Sequence, residues 1–198
     1  MGKMIVFLFI IVFGFILKTM YDAGEFKTLE PHYSGDCSSV TGVVGAEDIT
    51  FLNNGTALIS SDNRRSRING SEDQGTIYQY KPRAKNHKLI NLMPKLDTGF
   101  HPHGISVYEE PDGKTYLAAV NHHSSGLFNS RYGHSIELFI YDSDSLVHVR
   151  SVSGPLMISP NDIVLINKDQ FYVTNDHGSS SRLGQTFEEY LQLKKCNV

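Results

Sequence analysis

Two histidines and a turn fall within nine residues, Phe100-His101-Pro102-His103-Gly104-Ile105-Ser106-Val107-Tyr108. Related junctions stand upstream, at Gly45-Ala46-Glu47-Asp48-Ile49-Thr50-Phe51-Leu52, and downstream, at Ser159-Pro160-Asn161-Asp162-Ile163-Val164-Leu165-Ile166. Each sets metal-ligating or proton-transferring side chains just ahead of an Ile-led run. Carboxylate and amide oxygens suit a hard cation. A histidine titrates near neutrality and can take and return a proton. Ile49 and Ile105 are 56 residues apart, and Ile105 and Ile163 are 58 apart. The chemistry is therefore repeated, and an internal repeat of this period has an architecture attached to it.

The elements that must position these residues are short strands. The first repeat predicts strands at Ile49–Leu52, Ala57–Ser60, Thr76–Tyr80 and Lys88–Leu92, with a polar loop over Ser61–Gln74. The second predicts strands at Gly104–Tyr108, Thr115–Asn121, Ile136–Tyr141 and Leu146–Ser151, with a long polar loop over His122–His134. The third opens with Ile163–Ile166 and Phe171–Thr174 and fades into a short helix, Thr186–Leu193. Successive four-stranded units of this length predict an all-β fold, a β-propeller, in which the first strand of each blade lines the central axis. Glu47, Asp48, His103, Asn161 and Asp162 would then meet in space. The competing reading is that acidic and Asn residues before strands are only turn formers; three repeats in register, one with a histidine, favour the site.

Composition narrows the function classes. A net charge of -3 without a strong Lys/Arg cluster excludes a nucleic-acid partner. Met4 to Leu17 holds no polar side chain. Fourteen residues are short for a membrane span of about 20, and they fit the apolar core of a secretory signal. No small-x-small cleavage site follows, so an uncleaved signal anchor is expected, with a cleaved signal as the alternative. Asn54-Gly55-Thr56 and Asn69-Gly70-Ser71 are glycosylation sequons and point outward, although Asn-Gly is also a hairpin signal. Cys37 and Cys196 are too few for a disulfide framework or a zinc site and could pair with each other in an oxidising compartment.

Five stretches together resemble the paraoxonase/arylesterase family. They are Gly45-Ala46-Glu47-Asp48, Pro102-His103-Gly104-Ile105-Ser106, Val120-Asn121-His122, Pro160-Asn161-Asp162-Ile163-Val164 and Phe171-Tyr172-Val173-Thr174-Asn175-Asp176-His177. The resemblance implies a six-bladed propeller with two calcium ions on its axis. It places Glu47 and Asn161 on the catalytic calcium, and Asp48, Asp162 and the backbone carbonyl of Ile105 on the structural one. His103 and His122 match a pair that activates water, with Asp176 and His177 as weaker candidates. Cys37 matches a cysteine that bridges to one near the far C-terminus, and Cys196 lies outside the matching region. The implied reaction is hydrolysis of small aryl esters or lactones.

Six blades of this repeat would take roughly 340 residues. About two and a half are expected here, so the chain reads as the N-terminal half of such a protein. The expected organisation is a signal anchor or signal peptide over 1–21, a lead-in over 22–44, a partial propeller over 45–183 and a divergent tail over 184–198. Three functions stay open: a calcium-dependent arylesterase or lactonase, a non-catalytic membrane-anchored propeller that assists assembly of a membrane-protein partner, and an inactive fragment. The expected location is the secretory pathway, either anchored to the membrane and facing the lumen or extracellular space, or secreted.

Overall fold

The computed structural model describes residues 2–70, 73–93, 99–123 and 133–198. Most of the His122–His134 loop and, in the Ser61–Gln74 stretch, Ser71 of the second sequon and Glu72 lie outside the described residues. The chain divides into two units, Met1–Ser39 and Val40–Val198.

The first unit carries helix α1, Gly2–Asp22. The helix does not stop with the apolar run: it continues through Lys18 and Asp22, which form an i,i+4 ion pair. It ends where Gly24 takes a left-handed φ of 83°. Its 21 residues make a rod of about 31 Å, long and apolar enough to cross a membrane. No residue of α1 is buried.

Among the described residues the second unit is built of three antiparallel sheets that do not close into a barrel. The first sheet runs in the order β1 (Ala46–Phe51), β2 (Ala57–Ser61), β3 (Thr76–Tyr80) and β4 (Ile90–Asn91). The second runs β5 (Pro102–Glu109), β6 (Thr115–His122), β7 (His134–Asp142) and β8 (Ser145–Val152), and the third pairs β9 (Pro160–Asn167) with β10 (Gln170–Asn175). The opening strands are neighbours, β1 packing against β5 and β5 against β9.

Alternation along β6 shows why the sheets stack. Leu117 and Ala119 join Leu58, Ile77, Phe100 and Phe139 in a core shared with the first sheet. Tyr116, Ala118 and Val120 face the other way and join Ile163 and Leu165 of the third. A period of two puts successive side chains on opposite faces, so a strand with apolar residues on both faces belongs in the middle of a stack. β6 is buried from Thr115 to Asn121.

Two expectations are corrected. The Ser61–Gln74 stretch holds a short helix, α2 (Arg64–Ile68), whose first turn is capped by Asn63 Oδ1 accepting from Ser66 N–H at 3.1 Å. The C-terminal helix α3 spans Arg182–Tyr190, earlier than Thr186–Leu193, because Ser181 supplies its N-cap. Beyond it the chain returns, and Asn197 bridges Asn175 of β10.

Candidate active site

The three opening strands share one irregularity. In β1, Glu47 and Asp48 lie between the pairs Ala46–Ser61 and Ile49–Ile59. In β5, His103 and Gly104 lie between Pro102–Asn121 and Ile105–Ala119. In β9, Asn161 and Asp162 lie between Pro160–Asn175 and Ile163–Val173. Each time two residues oppose one, a β-bulge, which re-aims side chains near the end of a strand. The strands therefore each begin three residues ahead of the Ile that leads the run.

The bulges are anchored alike. Ser60 Oγ accepts from Asp48 N–H at 3.0 Å and Thr174 Oγ1 from Asp162 N–H at 3.1 Å. The Asp48 and Asp162 carboxylates accept from Ile49 and Ile163 N–H at 2.7 and 2.8 Å. In β5 the position is glycine, and the Ile105 N–H turns to Asp48 Oδ2 at 2.8 Å. A Cβ at Gly104 would stand 2.5 Å from both the Asn161 carbonyl oxygen and the Asp162 Cα, so only glycine lets β9 come this close. Asn121 and Asn175 hold the chain ahead of two bulges, accepting from His101 and Ser159 N–H at 2.8 and 3.0 Å. Sequence reasoning gave those asparagines no role; their equivalent repeat positions were the available signal.

The first bulge residues, Glu47 and His103, come together. His103 Nδ1 lies 3.3 Å from Glu47 Oε2. Among the described residues it is the one buried side-chain nitrogen or oxygen without a hydrogen-bond partner. Its ring centre is 5.3 Å from that of His122, and His122 Nδ1 lies 2.8 Å from His134 Nδ1. These three rings, with Arg64, Ser159, Pro160 and Asp176, line a cavity of about 340 Å³. Asn161 Nδ2 donates to both oxygens of Asp176 at 2.7 and 2.6 Å. Burial lowers the His103 pKa below the ordinary imidazole value, with the Arg64 charge adding to it; Glu47, Asp176 and Asp48 pull the other way without cancelling it. The ring is neutral at physiological pH.

Asp48, Ile105 and Asp162 occupy adjoining positions around Gly104, as the shared contacts show. Among the described residues no three His, Cys, Asp or Glu side chains converge closely enough to hold a metal ion. His177 turns away to Glu188 and Glu189 of α3, at 3.5 and 3.4 Å. Cys37 and Cys196 are exposed free thiols and do not pair with each other; Cys196 Sγ contacts the Asp176 carbonyl at 2.9 Å. Asn54 is exposed, its Oδ1 accepting from Thr56 N–H at 2.9 Å, and Asn69 is exposed as well. Arg64 and His134 are the lining residues the sequence reading missed. Arg64 sat in an expected loop, and a strand pairing that would bring residue 134 opposite 122 has no local signature.

The chain is similar to known proteins along most of its length. The family model described as Arylesterase matches residues 28–198. Serum paraoxonase/arylesterase 2 of Gallus gallus is 33% identical over 184 residues, 87% of this chain and 49% of the relative. Serum paraoxonase/lactonase 3 of Oryctolagus cuniculus is 32% identical over 185 residues, 88% of this chain and 50% of the relative. Serum paraoxonase/arylesterase 1 of Homo sapiens is 31% identical over 176 residues, 84% and 48% respectively. The chain spans about half the length of the curated relatives it matches. With the family match running from the lead-in through all three bulged strands to the last residue, the chain belongs to the arylesterase family.

Proposed function

We propose that the Val40–Val198 unit is a run of β-propeller blades, two of four strands and a third begun by β9 and β10, and that its axial end hydrolyses aryl esters or lactones with calcium. The observation that carries this reading is the set of three equivalent bulges, which aim Glu47, His103 and Asn161 from neighbouring strands toward one end. The names of the relatives support the reaction class.

The donor chemistry fits calcium. Glu47 and Asn161 are assigned to the catalytic ion, and Asp48, Asp162 and the Ile105 carbonyl to the structural one; all are hard oxygen donors of the mixed kind that calcium takes. A carboxylate can only accept, so Asp176 commits Asn161 Nδ2 and leaves the amide oxygen for a cation. Calcium, when bound, supplies positive charge beside the oxygen that turns negative as water adds to the carbonyl. The neutral His103 ring takes the proton from that water. Glu47, 3.3 Å from Nδ1, stabilises the imidazolium so formed. His122 stands beside it as the assisting base.

The organisation follows. Residues 1–21 are assigned to a signal anchor, or to a signal peptide if cleaved, and 22–44 to a lead-in. Residues 45–183 are assigned to the propeller segment and 184–198 to a divergent C-terminal tail, which the family match also covers. The segment then faces the lumen or extracellular space, with Asn54 and Asn69 as glycan acceptors. One observation favours the non-catalytic reading: Arg64 stands 3.4 Å from Glu47 and competes for the carboxylate.

The test is phenyl acetate hydrolysis by the whole protein with calcium added and then chelated. Activity should vanish with chelator, and His103→Gln should lower kcat by about 10²–10⁴-fold. Full activity in His103→Gln would show that the base lies elsewhere, and hydrolysis indifferent to chelator would remove calcium from the mechanism.

A further inference from the structure

The cavity holds a third histidine to which neither the fold nor the proposed reaction assigns a role. His134 is the first residue of β7 and pairs in register with His122, the last of β6. Directly opposed residues of an antiparallel pair project from the same face, and both rings line the cavity. Their planes stand at 87° with centres 4.8 Å apart, and the two Nδ1 atoms are 2.8 Å apart. At that separation one hydrogen lies between two nitrogens, so one Nδ1 is the donor and the other must be bare. The hydrogen bond on one ring nitrogen sets what the other nitrogen can do.

We propose that His134 is a positioning residue for His122: it accepts the His122 Nδ1–H and so fixes His122 in the tautomer whose Nε2 carries the lone pair. The opposite arrangement would put a hydrogen on His122 Nε2 and deprive the neutral ring of its basic nitrogen on the other side. A neutral imidazole thus does for His122 what a buried carboxylate commonly does for a catalytic histidine, without adding a negative charge. Burial, with the charge of nearby His123 adding to it, keeps His134 neutral and its Nδ1 able to accept. In the reaction proposed above, on which this role rests, water would give its proton to His103. His122 Nε2 could receive that proton in turn and return it to the departing alkoxide, leaving both rings as they began. His134 touches neither water nor ester in this scheme.

The experiment is ¹⁵N-edited imidazole spectroscopy of the whole protein, which reads each ring's tautomer directly. The native His122 should be the Nδ1–H form. His134→Phe should convert it to the Nε2–H form, whereas His134→Gln, whose amide oxygen can still accept, should retain Nδ1–H. A native His122 in the Nε2–H form, or a tautomer unmoved by His134→Phe, overturns the proposal. If His134→Phe does not fold, the native spectrum together with His134→Gln decides it, because a His122 that turns to Nε2–H in the Gln variant contradicts an accepting role. Hydrolysis read in parallel separates the two claims. The predicted tautomers in a protein without esterase activity uphold the positioning and refute the hydrolase. Esterase activity with the wrong tautomer does the reverse.

Discussion

The second sheet holds two polar clusters on the same strands, and they are finished to different standards. Behind β6 and β7, Glu137 is 1% exposed. It accepts from Ser135 and Ser151 hydroxyls, from His148 Nε2 at 2.7 Å and from Asn121 Nδ2 at 3.3 Å. His123 Nε2 adds a contact through Ser135 Oγ at 2.6 Å. At the strand ends, His103 Nδ1 is buried without a hydrogen bond, and its nearest charged partner stands at 3.3 Å. A buried polar group left unmatched costs free energy. A network that is satisfied supports the fold, and a cluster that is not has been left open for something else. The contrast marks Glu137 as structural and supports the proposed role of His103, whose side chain is half-buried with its Nδ1 fully enclosed.

The sharpest way to break this contrast is to remove the carboxylate that completes the first cluster. Glu137→Ala should destabilise the β unit by about 3–5 kcal/mol, because four donors lose their acceptor inside the sheet. His103→Gln should leave stability within about 1 kcal/mol, since the buried Nδ1 has no hydrogen bond to lose. Denaturant unfolding of both variants measures this. Equal losses would mean that the two clusters do the same work.

Much of the fold was legible beforehand, and the exceptions have causes. Thr76–Tyr80 emerges with the expected bounds, and β2 and β6 each extend by a single residue. Their β-branched and apolar residues report burial directly. β5 and β9 start earlier than expected because Pro102 and Pro160 pair across the sheet before each bulge, and a proline followed by polar residues reads as a turn. The equivalent placing of Glu47, His103 and Asn161 in three bulges was legible because the repeat marks those positions. Their side-chain partners were not. Arg64, His134 and the Glu137 network depend on cross-strand register and on a helix inside a polar stretch, neither of which periodicity reports. Glu137 sits in an ordinary alternating strand, where a glutamate reads as a solvent-facing residue.

The two clusters should also separate along the pH axis, with a smaller effect. Burial raises the Glu137 carboxyl, and hydrogen bonds from Ser135, Ser151, His148 and Asn121 more than offset it, leaving its pKa below the usual value of 4.5. The unfolded chain protonates first, so the stability Glu137 contributes is complete above pH 4.5 and is lost as pH falls through the lower folded value. His134, lowered by burial and by His123, contributes stability that is complete above 6.5 and is lost as pH falls through its own folded value. Urea midpoints against pH should therefore flatten just below 6.5 in His134→Gln and below 4.5 in Glu137→Gln. A single acid transition shared by both variants would join the clusters into one titrating unit.

The smallest expected effect bears on the open cluster alone. Arg64 and Glu47 are 3.4 Å apart, with the guanidinium side chain 40% exposed, and such a partly solvated pair contributes about 0.2–1 kcal/mol at most. Arg64→Ala should barely move the unfolding midpoint. Its consequence should appear in calcium binding, because a cation and Arg64 compete for one carboxylate. Removing the guanidinium should tighten calcium by a few fold, measured by titration calorimetry on the whole protein, and Glu47→Gln should abolish the difference between the Arg64 forms. If Arg64→Ala leaves calcium binding unchanged while Glu47→Gln weakens it, the arginine is a bystander and the non-catalytic reading loses its one supporting contact. If neither substitution changes calcium binding, Glu47 is no ligand. Its proximity to His103 would then be the reason it stands in the bulge.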